Sequence, residues 1–394
     1  MSTGPARHVR HELLAEERTP MAFYDYVAEF AGLPVLEFPG KYRDYHRLAH
    51  ARREAMKDER PLPESVAPDP ALTAALADPS SVAWRLRSYG DSTCTCYHLA
   101  NRCACSEEEK AADETGWAYL DRFFREVDTE GVTALILSAL SDEADQELEK
   151  HRDALLRYAD RLPNLRSLFF AELVVMDSEI SWIDQVDVAP RLAAFPKLTS
   201  FTVRGGNGLR IRVPEHTSLR SLTIQTGGMS KRVAQDVTAS GLPNLEHLEL
   251  WLGSHNYGYD LGVGDLAPLL SGEVLPRLRS LGLRNAEDTD TWIRALADAP
   301  VTRTLDTLDL SKGTLRDEGA SVLLDAPVFR GLKRLDLHHH YLSEEVQERL
   351  RAEFTASGVE IDVSDRREVD TDEFYDPDDE DFDPSDYLYP AVTE

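Results

Sequence analysis

Residues 242–253 read Leu242-Pro243-Asn244-Leu245-Glu246-His247-Leu248-Glu249-Leu250-Trp251-Leu252-Gly253. From Leu245 on, the run follows L-x-x-L-x-L. Leu248 and Leu250 alternate with His247, Glu249 and Trp251, the period-two signature of a short strand with one buried face. Pro243 precedes the strand, where the chain needs no ladder donor. The same six-residue pattern recurs on both sides. Upstream it reads Val132-x-x-Leu135-x-Leu137, Leu165-x-x-Leu168-x-Phe170, Leu198-x-x-Phe201-x-Val203 and Leu219-x-x-Leu222-x-Ile224. Downstream it reads Leu278-x-x-Leu281-x-Leu283, Leu305-x-x-Leu308-x-Leu310 and Leu332-x-x-Leu335-x-Leu337. First positions are 33, 33, 21, 26, 33, 27 and 27 residues apart, which is a repeat architecture.

Helix-like stretches separate the strands. In Asp145–Leu162, Leu148, Leu155, Leu156, Ala159 and Leu162 fall on one stripe. Asp288–Ala299, Asp317–Asp325 and Ser343–Phe354 repeat the idea, with Ser or Asp near the start as helix caps. One strand and one helix cannot hide their apolar faces alone. Stacked side by side, such units form a parallel sheet inside and helices outside. The spacing predicts an α/β solenoid, right-handed and curved, with the strands on its concave face.

The entries Leu162-Pro163-Asn164-Leu165, Phe195-Pro196-Lys197-Leu198, Leu242-Pro243-Asn244-Leu245 and Leu275-Pro276-Arg277-Leu278 resemble those of leucine-rich-repeat proteins. The helix-containing units resemble the ribonuclease-inhibitor type of that family. The resemblance covers about 130–363, with a first strand expected at Val82–Arg87. It implies a horseshoe whose inner wall binds proteins or peptides. The runs Phe30–Phe38, Leu248–Gly253 and Leu335–Glu345 are also similar to an uncharacterised family of bacterial leucine-rich-repeat proteins. Genes of that family sit beside those of radical-SAM and other modifying enzymes. Residues 41–80 and the cysteine-bearing stretch 94–105 depart from it. Its members often begin near what is here Met21, which would make residues 1–20 an upstream extension.

The expected organisation is an N-terminal extension at 1–20 and a cap with a charged helix and a Pro-rich linker at 21–80. A capping strand–helix unit with the cysteine insertion follows at 81–130. The repeats occupy 131–363, and a disordered acidic tail 364–394. The chain has 394 residues, 71 acidic against 43 basic, for a net charge of −28. That charge repels phosphate backbones and argues against nucleic acid. It favours a partner with basic patches. No apolar run reaches the ~18–20 residues of a membrane span. MSTGPARHVRHELLAEER lacks the apolar core of a secretory signal, so a bacterial cytoplasmic location is expected.

All four cysteines fall in Cys94-Thr95-Cys96-Tyr97-His98-Leu99-Ala100-Asn101-Arg102-Cys103-Ala104-Cys105. Four thiolates on one short loop suit a tetrahedral structural metal, zinc first, and His98 could replace one of them. The C-x-C-x6-C-x-C spacing is not that of a zinc ribbon, so free or redox-active thiols and disulfides stay open. Four protein ligands would close the coordination sphere and leave no place for a substrate.

Solvent-facing strand positions place Arg204, His247, Glu249, Trp251, Arg284, Asp309, Asp336 and His338 on the concave wall. An exposed Trp251 among charges is the expected partner-binding hot spot; a Trp covered by the loop Gly253–Tyr259 is the alternative. On a strand His338 and His340 would share a side, where they could share a metal with Asp309 or Asp336. No G-x-S-x-G, H-E-x-x-H or G-x-x-x-x-G-K-[ST] motif occurs, so no catalytic residue is expected. The functional expectation is a protein- or peptide-binding scaffold. Its rival is an accessory, substrate-binding or metal-carrying subunit of a peptide- or small-molecule-modifying enzyme.

A metal held by Cys94, Cys96, Cys103 and Cys105 would give about one equivalent per purified chain in elemental analysis. Four freely titratable thiols without bound metal would exclude it.

Overall fold

The computed structural model describes residues 25–41, 43–88, 114, 116–140, 148–369 and 387–392. The four cysteines, residues 1–20 and most of the acidic tail lie outside the described residues.

The described strands make one open sheet of twelve, ordered in space as in sequence. They are β1 (Glu29–Phe30), β2 (Leu33–Glu37), β3 (Ala83–Leu86), β4 (Ala134–Leu137), β5 (Ser167–Phe170) and β6 (Ser200–Arg204). β7 (Ser221–Gln225), β8 (His247–Gly253), β9 (Ser280–Ala286), β10 (Thr307–Asp309), β11 (Arg334–Asp336) and β12 (Glu360–Asp362) complete it. β1 and β2 form an antiparallel hairpin, and every later pairing is parallel. This is a solenoid-like α/β architecture.

The register explains the sequence pattern. Leu135 pairs with Leu168, then Phe201, Leu222, Leu248, Leu281, Leu308, Leu335 and Ile361 in successive strands. All but Ile361 at the end are buried. Strand entry repeats as well. The carbonyl of residue 199 accepts the amides of 220 and 221, that of 220 accepts 246 and 247, and that of 246 accepts 279 and 280. Carbonyls 279 and 306 do the same for the next two units.

Helices cover the other face of the sheet. α6 (Lys231–Thr238), α8 (Thr289–Asp298), α9 (Asp317–Asp325) and α10 (Glu344–Ala356) follow the order of the strands. The earlier helices are α1 (Arg43–Lys57), α2 (Pro70–Ala77), α3 (Gly116–Glu126), α4 (Leu148–Arg157) and α5 (Ala189–Ala194), and α7 (Ala267–Leu270) is a single turn. Ser230 caps α6 through the amide of Arg232, and Ser343 caps α10 through that of Val346. Val233 and Val237 of α6, Trp292 and Leu296 of α8, and Leu350 and Phe354 of α10 are buried.

At the N-terminal end Phe38, Trp84, Tyr119 and Phe123 close the core with edge-to-face contacts. The sheet starts earlier than the expected strand at 82–87, because Leu33–Glu37 already pairs in parallel with β3. The Pro-rich linker contains α2, whose start is set by Asp69 as N-cap and Pro70 at the first turn. The expected disordered tail ends in order: Val392 is 3% exposed and belongs to the apolar core.

Gly253 ends β8 with φ +77°, and a Cβ there would stand 1.8 Å from the Gly227 carbonyl oxygen. No other residue allows that approach. Leu281→Ala should cost about 3 kcal/mol in chemical denaturation, because the buried column leaves no room to relax. A loss under about 1 kcal/mol would mean that the column carries no such packing.

Candidate functional site

The inner face of the sheet carries two columns of side chains across its C-terminal half. In one, Glu249, Gly282, Asp309, Asp336 and Asp362 stand side by side on β8 to β12. Parallel strands lie about 4.8 Å apart, so unscreened acids at this spacing repel one another. In the other column Trp251 pairs with Arg284, and His338 occupies the equivalent place just beyond β11.

Gly282 decides how the first column is tolerated. With no side chain between Glu249 and Asp309, the Arg284 guanidinium bridges both: Nη1 donates to Glu249 Oε1 at 3.1 Å and Nε stands 3.3 Å from Asp309 Oδ2. Arg284 Nε also donates to Ser311 Oγ at 2.9 Å. A Cβ on Gly282 would lie 3.2 Å from Glu249 Cγ and 3.5 Å from Arg284 Cδ. Trp251 Nε1 donates to Glu249 Oε1 at 2.7 Å. Arg284 and Lys312 stand 5.6 and 5.7 Å from the centre of the Trp251 ring.

The charges follow from these contacts. Burial alone would push the Glu249 carboxyl up, but Arg284, His247 and Trp251 outweigh it and hold it at about 2. Burial raises Asp309, with Arg284 opposing and Asp336 adding to the rise. Burial also opposes ionisation of Asp336, but hydrogen bonds from His338 turn the balance and lower it. Burial lowers Lys312, and the nearby Arg284 lowers it further.

Beyond Asp309 the acids have other partners. Asp336 Oδ1 accepts the His338 amide at 3.1 Å and meets His338 Nδ1 at 2.7 Å. Arg334 reaches Asp336 Oδ2 at 3.4 Å and Glu360 at 3.3 Å. Asp336, His338 and Asp362 bring one donor atom each within 4.8 Å of one another. One imidazole and two carboxylates suit a first-row divalent cation, although Asp336 already spends its oxygens on His338 and Arg334.

Three expected site residues, Trp251, Arg204 and Asp336, are buried. Trp251 does lie on the inner face, yet it is 1% exposed; the flexible cations Arg284 and Lys312, 33 and 61 residues away in sequence, shelter its ring. Arg204 is also 1% exposed. It donates to the Leu173 carbonyl at 2.5 Å and to Gln225 at 2.9 Å, over the Phe169 ring. Burial lowers its pKa to about 10. His247, Glu249, Arg284, Asp309 and His338 remain partly accessible, while Asp336 is buried.

His338 and His340 do not share a side. The strand alternation stops at Asp336, and His339 turns left-handed with φ +63°. His340 is fully buried, with Nε2 3.2 Å from the Val363 carbonyl and Nδ1 accepting the Leu342 amide. Asp362 and Lys312 carry no signal in the repeat pattern: the first follows the last full repeat motif, and the second acts through reach.

The N-terminal half of the inner face is covered by the chain itself. Arg85 forms a bidentate pair with Glu172 at 2.7 and 3.0 Å. The Val27 amide donates to Glu172, the Val27 carbonyl accepts from Arg85, and Tyr26 donates to Asp177. Phe30 rests against Phe169.

Among solved structures, a Bacteroides fragilis protein determined by structural genomics is 30% identical, with a TM-score of 0.61 over 67% of this chain and 74% of its own. The chain belongs to the family of that protein. No family model and no curated protein matches it. No helix of the described residues is long and apolar enough to cross a membrane.

Glu249 gives the site a pH signature. Its folded value of about 2 lies below the ordinary 4.5. Its contribution is therefore complete above pH 4.5 and is lost as pH falls toward 2. Glu249→Gln should cost about 3 kcal/mol at pH 7, with the gap to the parent closing between pH 4.5 and 2. A gap independent of pH in denaturation curves would assign the loss to packing instead.

Proposed function

We propose that this chain is a leucine-rich-repeat protein with ribonuclease-inhibitor-type units, and that it binds a protein or peptide on the open half of its inner face. The register supports the repeat assignment, since equivalent leucines pair from strand to strand through seven consecutive steps, Leu168 to Ile361. The observation that carries the binding reading is the acidic column Asp309, Asp336 and Asp362, in register on adjacent strands and paired among the described residues with Arg284, Arg334 and His338. Lysine or arginine side chains from a partner would complete that neutralisation. Arg284 and Trp251, locked by Glu249, form a preorganised floor that needs little ordering on association.

The net charge of −28 steers a basic partner toward the wall and a nucleic acid away from it. A binding role without catalysis, in a bacterial cytoplasm, fits this reading. The rival role, an accessory subunit carrying a metal for a modifying enzyme, draws support from the donor set Asp336, His338 and Asp362. Capture from the native host separates the two. One stoichiometric enzyme favours the accessory role; a basic non-enzyme partner favours the scaffold.

Asp309→Asn combined with Asp362→Asn should weaken capture of that partner by at least about tenfold at low salt, with far-UV circular dichroism unchanged. Raising the salt should narrow the difference. Equal capture by parent and double variant would remove the acidic column from the interface.

A further inference from the structure

The left-handed turns that close the last units form a second recognition element. Asn285, Lys312, His339 and Asp365 all have φ between +55° and +66° and occupy equivalent places. The amides of Asn285, Lys312 and His339 donate to the carbonyls of Ser311, His338 and Ser364 in the following units. This fixes a straight rim along the exits of the strands.

The last described residues lie across that rim. Tyr389 exchanges two hydrogen bonds with the Tyr341 hydroxyl, at 3.0 and 3.2 Å. The Ala391 amide donates to the Lys312 carbonyl at 2.8 Å. The Asn285 side chain clamps Val392 from both sides: Oδ1 accepts its amide at 2.8 Å and Nδ2 donates to its carbonyl at 2.5 Å. Tyr389, Ala391 and Val392 thus meet three successive units in order. Every one of these bonds reads main chain. The side chains that reach the interior are Pro390 and Val392, both buried, with Ala391 packed partly against the core.

A contact of this kind is made to be reversible. Its apolar contact is confined to these three small side chains. The connecting residues 370–386 carry ten acids and no base, a like-charge tether that works against its own docking on an acidic surface. A main-chain clamp with one short apolar contact accepts an extended segment whose small apolar residues can stand where Pro390, Ala391 and Val392 do. We propose that the rim formed by Asn285, Lys312 and Tyr341 is a receptor for an extended segment of a partner protein bearing a valine-like residue, and that the chain's own residues 387–392 occupy it as an intramolecular competitor. The proposal rests on the binding role assigned above and adds its regulation: the partner enters when the strap leaves.

The probe is a fluorescein-labelled peptide of residues 384–394, titrated by anisotropy into the full-length chain. Ala391→Pro removes the amide that Lys312 holds, and Val392→Asp charges the buried slot. Each should bind the probe at least about tenfold more tightly than the unsubstituted chain, because the tethered competitor is gone. Adding Asn285→Ala to either should abolish that gain. Equal binding by parent and release variants, or a gain indifferent to Asn285→Ala, would overturn the proposal. On the unsubstituted chain, excess unlabelled peptide should speed hydrogen exchange at the Ala391 and Val392 amides; no change would also overturn it, whatever the variants do. Probe binding without capture of a basic partner would leave the rim receptor standing and sink the inner-face reading. Partner capture without probe binding would do the reverse.

Discussion

Leu248 is dry because Leu222 and Leu281 stand beside it on the neighbouring strands. Each unit of this chain buries its apolar residues only against the next, and everything else depends on that stacking. It sets a strand spacing of about 4.8 Å, and that spacing copies itself into every other row of side chains. A buried row of leucines on one face therefore imposes aligned rows on the other. The acidic column of the inner face is a by-product of the hydrophobic one. So is the row of left-handed exits. A site built in this way inherits its rigidity from the core and needs no loop of its own to hold it.

The same logic explains what the sequence made legible. Period-two alternation marks which strand residues face inward and which outward, and regular spacing marks their neighbours. Glu249, Arg284 and Asp309 could be placed on one wall because the leucines two residues away fix their phase. Features that do not follow the period were hidden. Trp251 sits on the wall as the alternation implies, but it is buried in the apolar core with Arg284 and Lys312 beside its ring, whose reach no pattern encodes. The alternation at His338 to His340 was carried one step too far, since the chain leaves the strand after Asp336 and reverses hand at His339. Neither lysine nor histidine announces a left-handed turn; the following unit imposes it by supplying the carbonyl. In contrast, α2 did have a readable start in Asp69-Pro70, a cap followed by a first-turn proline.

The electrostatics of the inner face are a contest that one residue settles. Arg284 loses hydration on burial and recovers it from Glu249 and Asp309 together, which raises its own pKa rather than lowering it. Its position is possible because residue 282 is glycine. A larger residue there would crowd Glu249 Cγ and Arg284 Cδ and take the room in which the guanidinium bridges the two acids. The salt bridge is therefore a matter of space before it is a matter of charge. Further along, Asp309 is raised while Asp336 is lowered. Neighbours in one column thus differ because Asp336 holds His338 and Asp309 shares Arg284 with Glu249.

Both ends of the described chain lie against the sheet, and they do so by different physics. The N-terminal segment is held by a buried, bidentate Arg85–Glu172 pair whose remaining valences Val27 fills. Removing any member would strand a charge in the core, at a cost of several kcal/mol. The C-terminal segment is held by main-chain bonds and the small apolar side chains of Pro390, Ala391 and Val392. A buried ion pair makes a permanent cover, because opening it exposes an unpaired partner. A main-chain clamp makes a replaceable one, because any other extended chain offers it the same groups. The division of the inner face into a closed N-terminal half and an open C-terminal half follows from that difference, and it puts the replaceable cover beside the acidic column.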